Sequence, residues 1–95
     1  MYLVVRSYSG AGASELFDLL GERQDEVKDL ISGVPGFISY AAARTGGDTG
    51  VTVTVCQDKA GTDESSRRAA DWVKENVSTA GTVPTISEGT TVAQF

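Results

Sequence analysis

Residues 37–57 read FISYAAARTGGDTGVTVTVCQ and contain the clearest structural pattern of the chain. In the second half of this stretch, valines alternate with threonines and a cysteine, which is the period of two that a β-strand imposes on its faces. We predict one strand at Phe37–Arg44 and another at Val51–Gln57. The glycine-rich segment 44–50 between them is longer than a two-residue hairpin loop, and its glycines suit a turn with positive φ angles.

One helix is predicted before this pair of strands in the chain, and a second helix is predicted after it. The first is expected to use Ser14 as its N-cap and to contain Gly21, where a kink could form. Its apolar stripe consists of Leu16, Phe17, Leu20, Val27, Leu30 and Ile31. The second is expected to begin near Thr62, with Asp63 and Glu64 in its first turn, where the helix dipole favours negative charge. Its inward stripe consists of Ala69, Trp72, Val73, Asn76 and Val77.

Two further strands complete the pattern. Tyr2–Tyr8 is rich in β-branched and aromatic residues, and a last strand is expected at about Thr85–Ala93, after Pro84. The order strand-helix-strand, repeated once, is the split β-α-β arrangement of ferredoxin-like folds. The sequence therefore predicts an α+β, ferredoxin-like βαββαβ domain over residues 1–95. Its antiparallel four-stranded sheet would carry two helices on one face.

The predicted strands contain few charges. Arg6, Arg44 and Glu88 are the only charged residues within them, and the rest are mostly small, β-branched or aromatic. A sheet covered by helices on one face alone would leave its other face in water, where alternating charged residues are expected. We therefore predict that the uncharged face packs on a second copy of the chain, which makes the protein a homodimer.

Composition excludes several classes of partner. The chain has 95 residues and a formal net charge of -5, with eight basic and 13 acidic residues. Binding to nucleic acid or to an anionic membrane needs a basic surface, so neither is expected. No signal peptide or bilayer-spanning run is recognisable, and one cysteine cannot form an internal disulfide. These features favour a soluble, cytoplasmic protein.

Histidine is absent from the chain, and Cys56 is its single cysteine. The usual nitrogen and sulfur ligands of haem and transition metals are therefore missing, and we expect neither a metal nor another cofactor. A nucleophilic cysteine needs a base or a positive field to lower its pKa. Cys56 is better interpreted as a small buried hydrophobic residue.

The best candidate for a ligand site combines residues from two elements. Tyr40 and Arg44 share one face of a strand, and the small Ala42 between them leaves a hollow flanked by a phenol and a guanidinium. Trp72 and Asn76, four residues apart on the second helix, could cover this hollow from the helix side. The competing interpretation is a core tryptophan, a tyrosine with its hydroxyl at the rim and an arginine paired at the sheet edge.

Two other polar segments favour ordinary structural roles. Arg67 and Arg68 follow Asp63 and Glu64 by four residues each, so a self-paired helix surface is preferred to an anion site. The segment 10–14 (GAGAS) has glycines before a helix but places Glu15 where a phosphate loop would have another glycine. It is interpreted as a strand-to-helix loop.

The chain resembles a known superfamily. The element order, the acidic start of the second helix and the segment 34–40 (VPGFISY) are similar to those of dimeric α+β barrel proteins, and more narrowly to antibiotic-biosynthesis-monooxygenase-like domains. The resemblance covers nearly the whole chain. It implies a dimer whose sheets face each other and a small-ligand cavity between sheet and helices. Oxygenases of this kind often carry a tryptophan followed by an acid at the end of the third strand, where this chain has Gln57-Asp58. They often carry a histidine in the second helix, where this chain has Arg67-Arg68.

Two functions therefore stay open. The first is binding of a small aromatic or acidic ligand between sheet and helices, without a recognisable catalytic motif. The alternative is a cofactor-independent, monooxygenase-like enzyme acting on an aromatic or polyketide-like compound, with Tyr40, Arg44 and Trp72 nearest the chemistry. A cavity with convergent polar groups would favour the enzyme, and a cavity filled by side chains would favour a module that only binds or assembles.

Overall fold

The computed structural model describes residues 1–79 and 81–95 as four strands and three helices. In chain order they are β1 (Tyr2–Ser9), α1 (Ala11–Glu22), α2 (Gln24–Ser32), β2 (Phe37–Gly46), β3 (Thr49–Cys56), α3 (Lys59–Asn76) and β4 (Thr85–Thr90). The predicted α+β class and the antiparallel four-stranded sheet are confirmed. The number of helices is corrected, because the first predicted helix is divided into two.

The strand order in the sheet is β2-β3-β1-β4, with antiparallel pairing throughout. The first strand therefore lies inside the sheet, between β3 and β4, while β2 and β4 form its edges. Strands β2 and β3 reach further into the turn than predicted, because pairing continues to Gly46 opposite Thr49. Strand β4 ends at Thr90 instead of Ala93, since its ladder with β1 stops opposite Tyr2.

The division of the first helix occurs at Arg23, two residues beyond Gly21. Arg23 has φ -122° and ψ 39°, outside the helical region, and its backbone nitrogen donates to the Leu19 carbonyl at 2.8 Å. The helix also begins earlier than predicted. Gly10, with φ 93°, precedes its first turn, so Ser14 lies within α1 and the N-cap prediction was wrong.

Helix α3 likewise begins before its predicted start. The Asp58 carboxylate accepts a hydrogen bond from the Gly61 backbone nitrogen at 3.0 Å, which satisfies one of the free amides of the first turn. Because capping occurs at Asp58, the helix starts at Lys59 instead of near Thr62. Asp63 consequently lies in the second turn, where its carboxylate pairs with the Lys59 ammonium at 2.9 Å.

The core fills the space between the sheet and the helices. Apolar side chains from α1, α2 and α3 meet Tyr8 of β1 there, and the buried cluster comprises Tyr8, Ala13, Leu16, Phe17, Val27, Ile31, Trp72, Val73 and Val77. Gly50 of β3 allows α1 to approach closely, because a Cβ at this position would collide with the Phe17 ring. The close approach of helix and sheet therefore depends on a residue without a side chain.

The charged residues of the strands all lie on the helix side of the sheet. Arg6 reaches hydroxyls of α3, Arg44 reaches α1, and Glu88 pairs with Lys59 of α3 at 3.2 Å. Strand alternation and pairing register place an uncharged set on the opposite side, which we call the open face. It comprises Leu3, Val5, Ser7, Ser39, Ala41, Ala43, Val51, Val53, Val55, Thr85 and Ser87.

Among the helices in the described parts of the chain, none has both the length and the apolar character needed to cross a lipid bilayer. The longest, α3, spans 18 residues and carries several charged side chains.

Candidate functional site

A cavity lies between β2 and the pair α1 and α2, and we call it the β2 cavity. Its volume is about 820 Å³, within the range of small-molecule sites. Alternation along β2 turns Tyr40, Ala42 and Arg44 toward the helices, and all three line this space. Its helical wall includes apolar side chains, among them Phe17 and Leu20. The cavity around Ala42 thus faces α1 and α2, whereas the predicted hollow was expected to face the helix that carries Trp72 and Asn76.

Arg44 forms part of the rim of the β2 cavity. Its Nη2 donates to the Ser14 carbonyl oxygen at 2.7 Å and to Asp18 Oδ1 at 3.0 Å, which joins β2 to α1. The Arg44 side chain is 39% exposed and that of Asp18 is 62% exposed, so the ion pair is open to water. An exposed pair of this kind contributes little to stability, and the guanidinium can still face a ligand.

Tyr40 is half-buried and lines the same cavity. Burial raises the pKa of its phenol to about 12, since the charged phenolate is poorly solvated there. The phenol is therefore protonated near neutral pH and can donate a hydrogen bond. No other residue in the described parts of the chain forms a hydrogen bond with it, so this donor is available to a bound molecule.

Trp72 and Asn76 occupy a different place, at the break between α1 and α2. Trp72 Nε1 donates to Glu26 Oε1 at 3.0 Å, and Asn76 Oδ1 accepts from Arg23 Nη1 at 2.8 Å. Trp72 is only 7% exposed and belongs to the core cluster. It shares with Tyr40 the lining of a void of about 20 Å³, too small for an organic ligand. The structure thus brings Tyr40 and Arg44 together, and separates Asn76 from them.

Sequence reasoning missed the most unusual polar residue, Arg6 of β1. The side chain is 1% exposed, and its guanidinium donates to four hydroxyl oxygens at 2.6–3.3 Å. Those hydroxyls belong to Thr52 and Thr54 of β3 and to Ser65 and Ser66 of α3. Burial lowers the pKa of Arg6, because desolvation disfavours its charged form. The available signal was an arginine between Val5 and Ser7 in an otherwise uncharged strand.

Arg6 borders a second cavity, between α3, β1 and the segment before β4, which we call the α3 cavity. Its volume is about 530 Å³. Ser66 and Lys74 of α3 line it together with Arg6, and Ile86 contributes from β4. Tyr40 lines the β2 cavity, whereas Tyr8 lines the α3 cavity.

The remaining polar candidates have structural partners. Cys56 is fully buried, and burial raises the pKa of its thiol, so the thiolate needed for nucleophilic attack is disfavoured. The predicted ion pair between Glu64 and Arg68 is present at 2.9 Å. Arg67 pairs with Glu64 and Asp71, and not with Asp63 as predicted, because Asp63 is engaged by Lys59.

Within residues 1–79 and 81–95, no group of three or more side chains of the kinds that commonly bind metals is close enough together to hold a metal ion.

Comparison with known proteins identifies the fold. No protein-family model and no curated protein matches the sequence. Solved structures do match. A protein of unknown function from Nitrosomonas europaea, NE2512, shares 19% identity with a TM-score of 0.71, and the alignment covers 99% of this chain and 90% of that chain.

Two further structures belong to oxygenases. The monooxygenase from the gene ActVA-Orf6 of Streptomyces coelicolor, in complex with nanaomycin D, has 18% identity and a TM-score of 0.69, covering 99% of this chain and 89% of that one. SnoaB of Streptomyces nogalater, a cofactor-independent oxygenase, has 18% identity and a TM-score of 0.60, covering 99% and 94%. The resemblance to monooxygenase-like domains is therefore confirmed at the level of the fold.

Proposed function

We propose that this protein binds a small molecule with an aromatic body and an acidic group in the β2 cavity. The observation that carries the proposal is the position of Tyr40 and Arg44 in one cavity of about 820 Å³ with apolar helical side chains in its wall. Arg44 would meet the acidic group at the rim, because a guanidinium presents several donors to a carboxylate. The Tyr40 phenol would donate to a polar atom deeper in the cavity.

The apolar wall determines the rest of the ligand. Phe17, Leu20 and Val27 of the helices line the cavity opposite β2. Aromatic rings pack favourably on such side chains, and their burial would supply most of the affinity. The ActVA-Orf6 monooxygenase, which has a similar fold, forms a complex with the ligand nanaomycin D, and this supports binding of a small molecule by this fold.

We also propose that the protein works as a homodimer formed through its open face. All three charged strand residues point to the helices, so this face presents only apolar and small polar side chains. Val5, Val51 and Val53 are half-buried there on neighbouring strands. An uncharged surface of this kind on a small domain favours association, because burial of apolar area is stabilising.

A second candidate function is cofactor-independent oxygenation of an aromatic or polyketide-like compound. It is favoured by the structural similarity to a monooxygenase and to a cofactor-independent oxygenase. In this case Tyr40 and Arg44 would hold the substrate in the β2 cavity. Dihydroxynaphthalene in an oxygen electrode tests this candidate. Oxygen uptake that exceeds the spontaneous rate and is lost in Tyr40→Phe would support this candidate. A rate of oxygen uptake equal to the spontaneous rate would reject it.

Ligand binding is tested with 2-naphthoate as the probe. Its titration is followed by the backbone amide shifts of the protein, and we expect the shifts to concentrate around Leu20, Lys28 and Ala42. Ala42→Phe should abolish binding, because the new ring would fill the cavity from an exposed strand position. Ala70→Phe, which places the same ring in the α3 cavity, is the matched control and should bind normally. Amide shifts around Leu20, Lys28 and Ala42 that survive in Ala42→Phe, or the absence of such shifts in the wild type, would reject the proposal.

A further inference from the structure

We infer that the α3 cavity is a second ligand site, which takes a small organic carboxylate with an apolar body. The site is separate from the β2 cavity and does not depend on the function proposed for it. Arg6 lines this cavity together with Ser66, the acceptor of the Arg6 Nε hydrogen bond at 3.2 Å.

The hydrogen bonds of Arg6 use all but one of the N–H groups of its guanidinium. A guanidinium carries five N–H groups. Nε donates to Ser66, Nη1 donates to Thr52 and Thr54, and Nη2 donates once, to Ser65. The second N–H of Nη2 meets no acceptor in the part of the chain that the structure describes. A side chain that is 99% buried therefore retains an unused charged donor.

The partners of Arg6 satisfy hydrogen bonds without neutralising its charge. All four acceptors are neutral hydroxyls, and no carboxylate of the described residues forms an ion pair with Arg6. The chain has 13 acidic residues and eight basic ones, so the absence of a carboxylate partner for Arg6 among the described residues does not reflect a shortage of acidic residues. A buried charge without a counter-charge is costly, and such groups are normally paired. A bound anion would supply the missing counter-charge.

The lining of the α3 cavity has the matching chemistry. Arg6 and Lys74 are its two cationic residues, and none of the described lining residues is acidic. Ser66 and Thr82 add hydroxyls. The remaining wall is largely apolar, with Val73, Val77, Val83, Pro84 and Ile86. Two cationic side chains and several hydroxyls in the lining of a largely apolar cavity suit a carboxylate attached to a hydrocarbon body.

The competing interpretation is that Arg6 only fastens the sheet to α3. The same four hydrogen bonds would serve that purpose, since they join β1 to β3 and to α3. The two interpretations differ in what the cavity does. A fastening role requires no recognition of charge, whereas an anion site discriminates between a carboxylate and a neutral molecule of the same shape.

Octanoate and 1-octanol provide this discrimination, because they share an apolar chain and differ in charge. Backbone amide shifts of the unmodified protein are followed during each titration. We expect octanoate to shift the amides of Ser66, Lys74 and Val83, and not those of Leu20 and Ala42. Octanol should bind at least about tenfold more weakly, the loss expected for a charge-assisted hydrogen bond.

Four variants complete the test. Ala70→Phe should abolish octanoate binding by filling the cavity from an exposed helix position, while Ala42→Phe should leave it unchanged. Lys74→Gln and Arg6→Gln should each weaken octanoate binding. Lys74→Gln remains informative if Arg6→Gln does not fold. No octanoate binding, equal binding of octanol, or binding that persists in Ala70→Phe would overturn the proposal. Shifts confined to the β2 cavity would overturn it too, while leaving the function proposed for that cavity intact.

Discussion

The guanidinium of Arg23 lies over the indole ring of Trp72, 5.3 Å from the ring centroid. Arg23 is the residue that interrupts the helical segment between α1 and α2, and Trp72 belongs to α3. The contact therefore ties the interruption to the third helix. Glu26 completes the arrangement, since its carboxylate accepts hydrogen bonds from both Arg23 and Trp72.

Trp72→Ala is expected to lower the free energy of unfolding by about 3–5 kcal/mol, because it removes a large buried ring from the core. Urea denaturation measures the change. Arg23→Ala is the matched variant and should cost only about 0.5–1 kcal/mol, the usual contribution of a partly exposed cation-π contact. Equal losses in the two variants would contradict a core role for Trp72.

Arg44→Ala is expected to cost less than about 1 kcal/mol of stability, because its ion pair with Asp18 is exposed. The same substitution should weaken binding of 2-naphthoate. Asp18→Asn is the control, since it removes the partner and keeps the guanidinium. Thermal unfolding and amide shifts supply the two readouts. An Arg44→Ala protein that unfolds, together with a wild type that does not bind 2-naphthoate, would make Arg44 purely structural.

The stability of the protein should depend on pH through Glu64. Hydrogen bonds from Arg67 and then Arg68 lower the pKa of this carboxyl from 4.5 to about 2. A lowered folded-state pKa contributes stability that is present above the unfolded value and is lost as pH falls through the folded value. Wild type should therefore exceed Glu64→Gln in melting temperature at about pH 6, and the difference should shrink toward about pH 2.

Glu22→Gln is the control for the Glu64 experiment, because Glu22 forms no ion pair with any described residue. Its melting temperature should differ less from wild type at about pH 6 than that of Glu64→Gln. A Glu64→Gln difference that stays constant across the whole range would show that the ion pairs of Glu64 do not stabilise the fold.

The open face predicts a dimer with twice the 9.9 kDa mass of the chain. Sedimentation at micromolar concentration should show this species for the wild type. Val53→Lys, which puts a charge in the middle of the open face opposite Val5, should give a folded monomer. Ala70→Lys adds the same charge on the helix side and should remain dimeric. A wild type that sediments only as a monomer would exclude the dimer.

The strands were predictable because their side chains alternate with a period of two. Val51, Val53 and Val55 identify β3 at once, and the pairing of β2 with β3 follows from the short turn between them. The start of α3 at Lys59, directly after its cap Asp58, could not be placed, because several polar residues near it could serve as caps. Gly21 indicated a possible kink in the first helix, but the division itself lies at Arg23, whose guanidinium contacts Glu26 and the distant Asn76.

The candidate site was predictable only within one element. Tyr40 and Arg44 share a face because strand geometry requires it, and the structure puts them in one cavity. Trp72 and Asn76 come from α3, and the rotation of a helix relative to a sheet is set by packing that sequence spacing does not reveal. Arg6 was missed for the same reason. Its burial depends on hydroxyls of Ser65 and Ser66, about 60 positions away in the chain.

The position of β1 inside the sheet has a consequence for folding. This strand is the earliest in the sequence, yet its two neighbours are β3, which ends at Cys56, and β4, which begins at Thr85. A chain emerging from the ribosome must therefore hold β1 with one edge unpaired until residues 85–90 are available. Pairings between distant segments form slowly, and unpaired edges favour aggregation. A chain that ends before β4 should consequently be less soluble during synthesis than a chain that lacks a few residues of a turn.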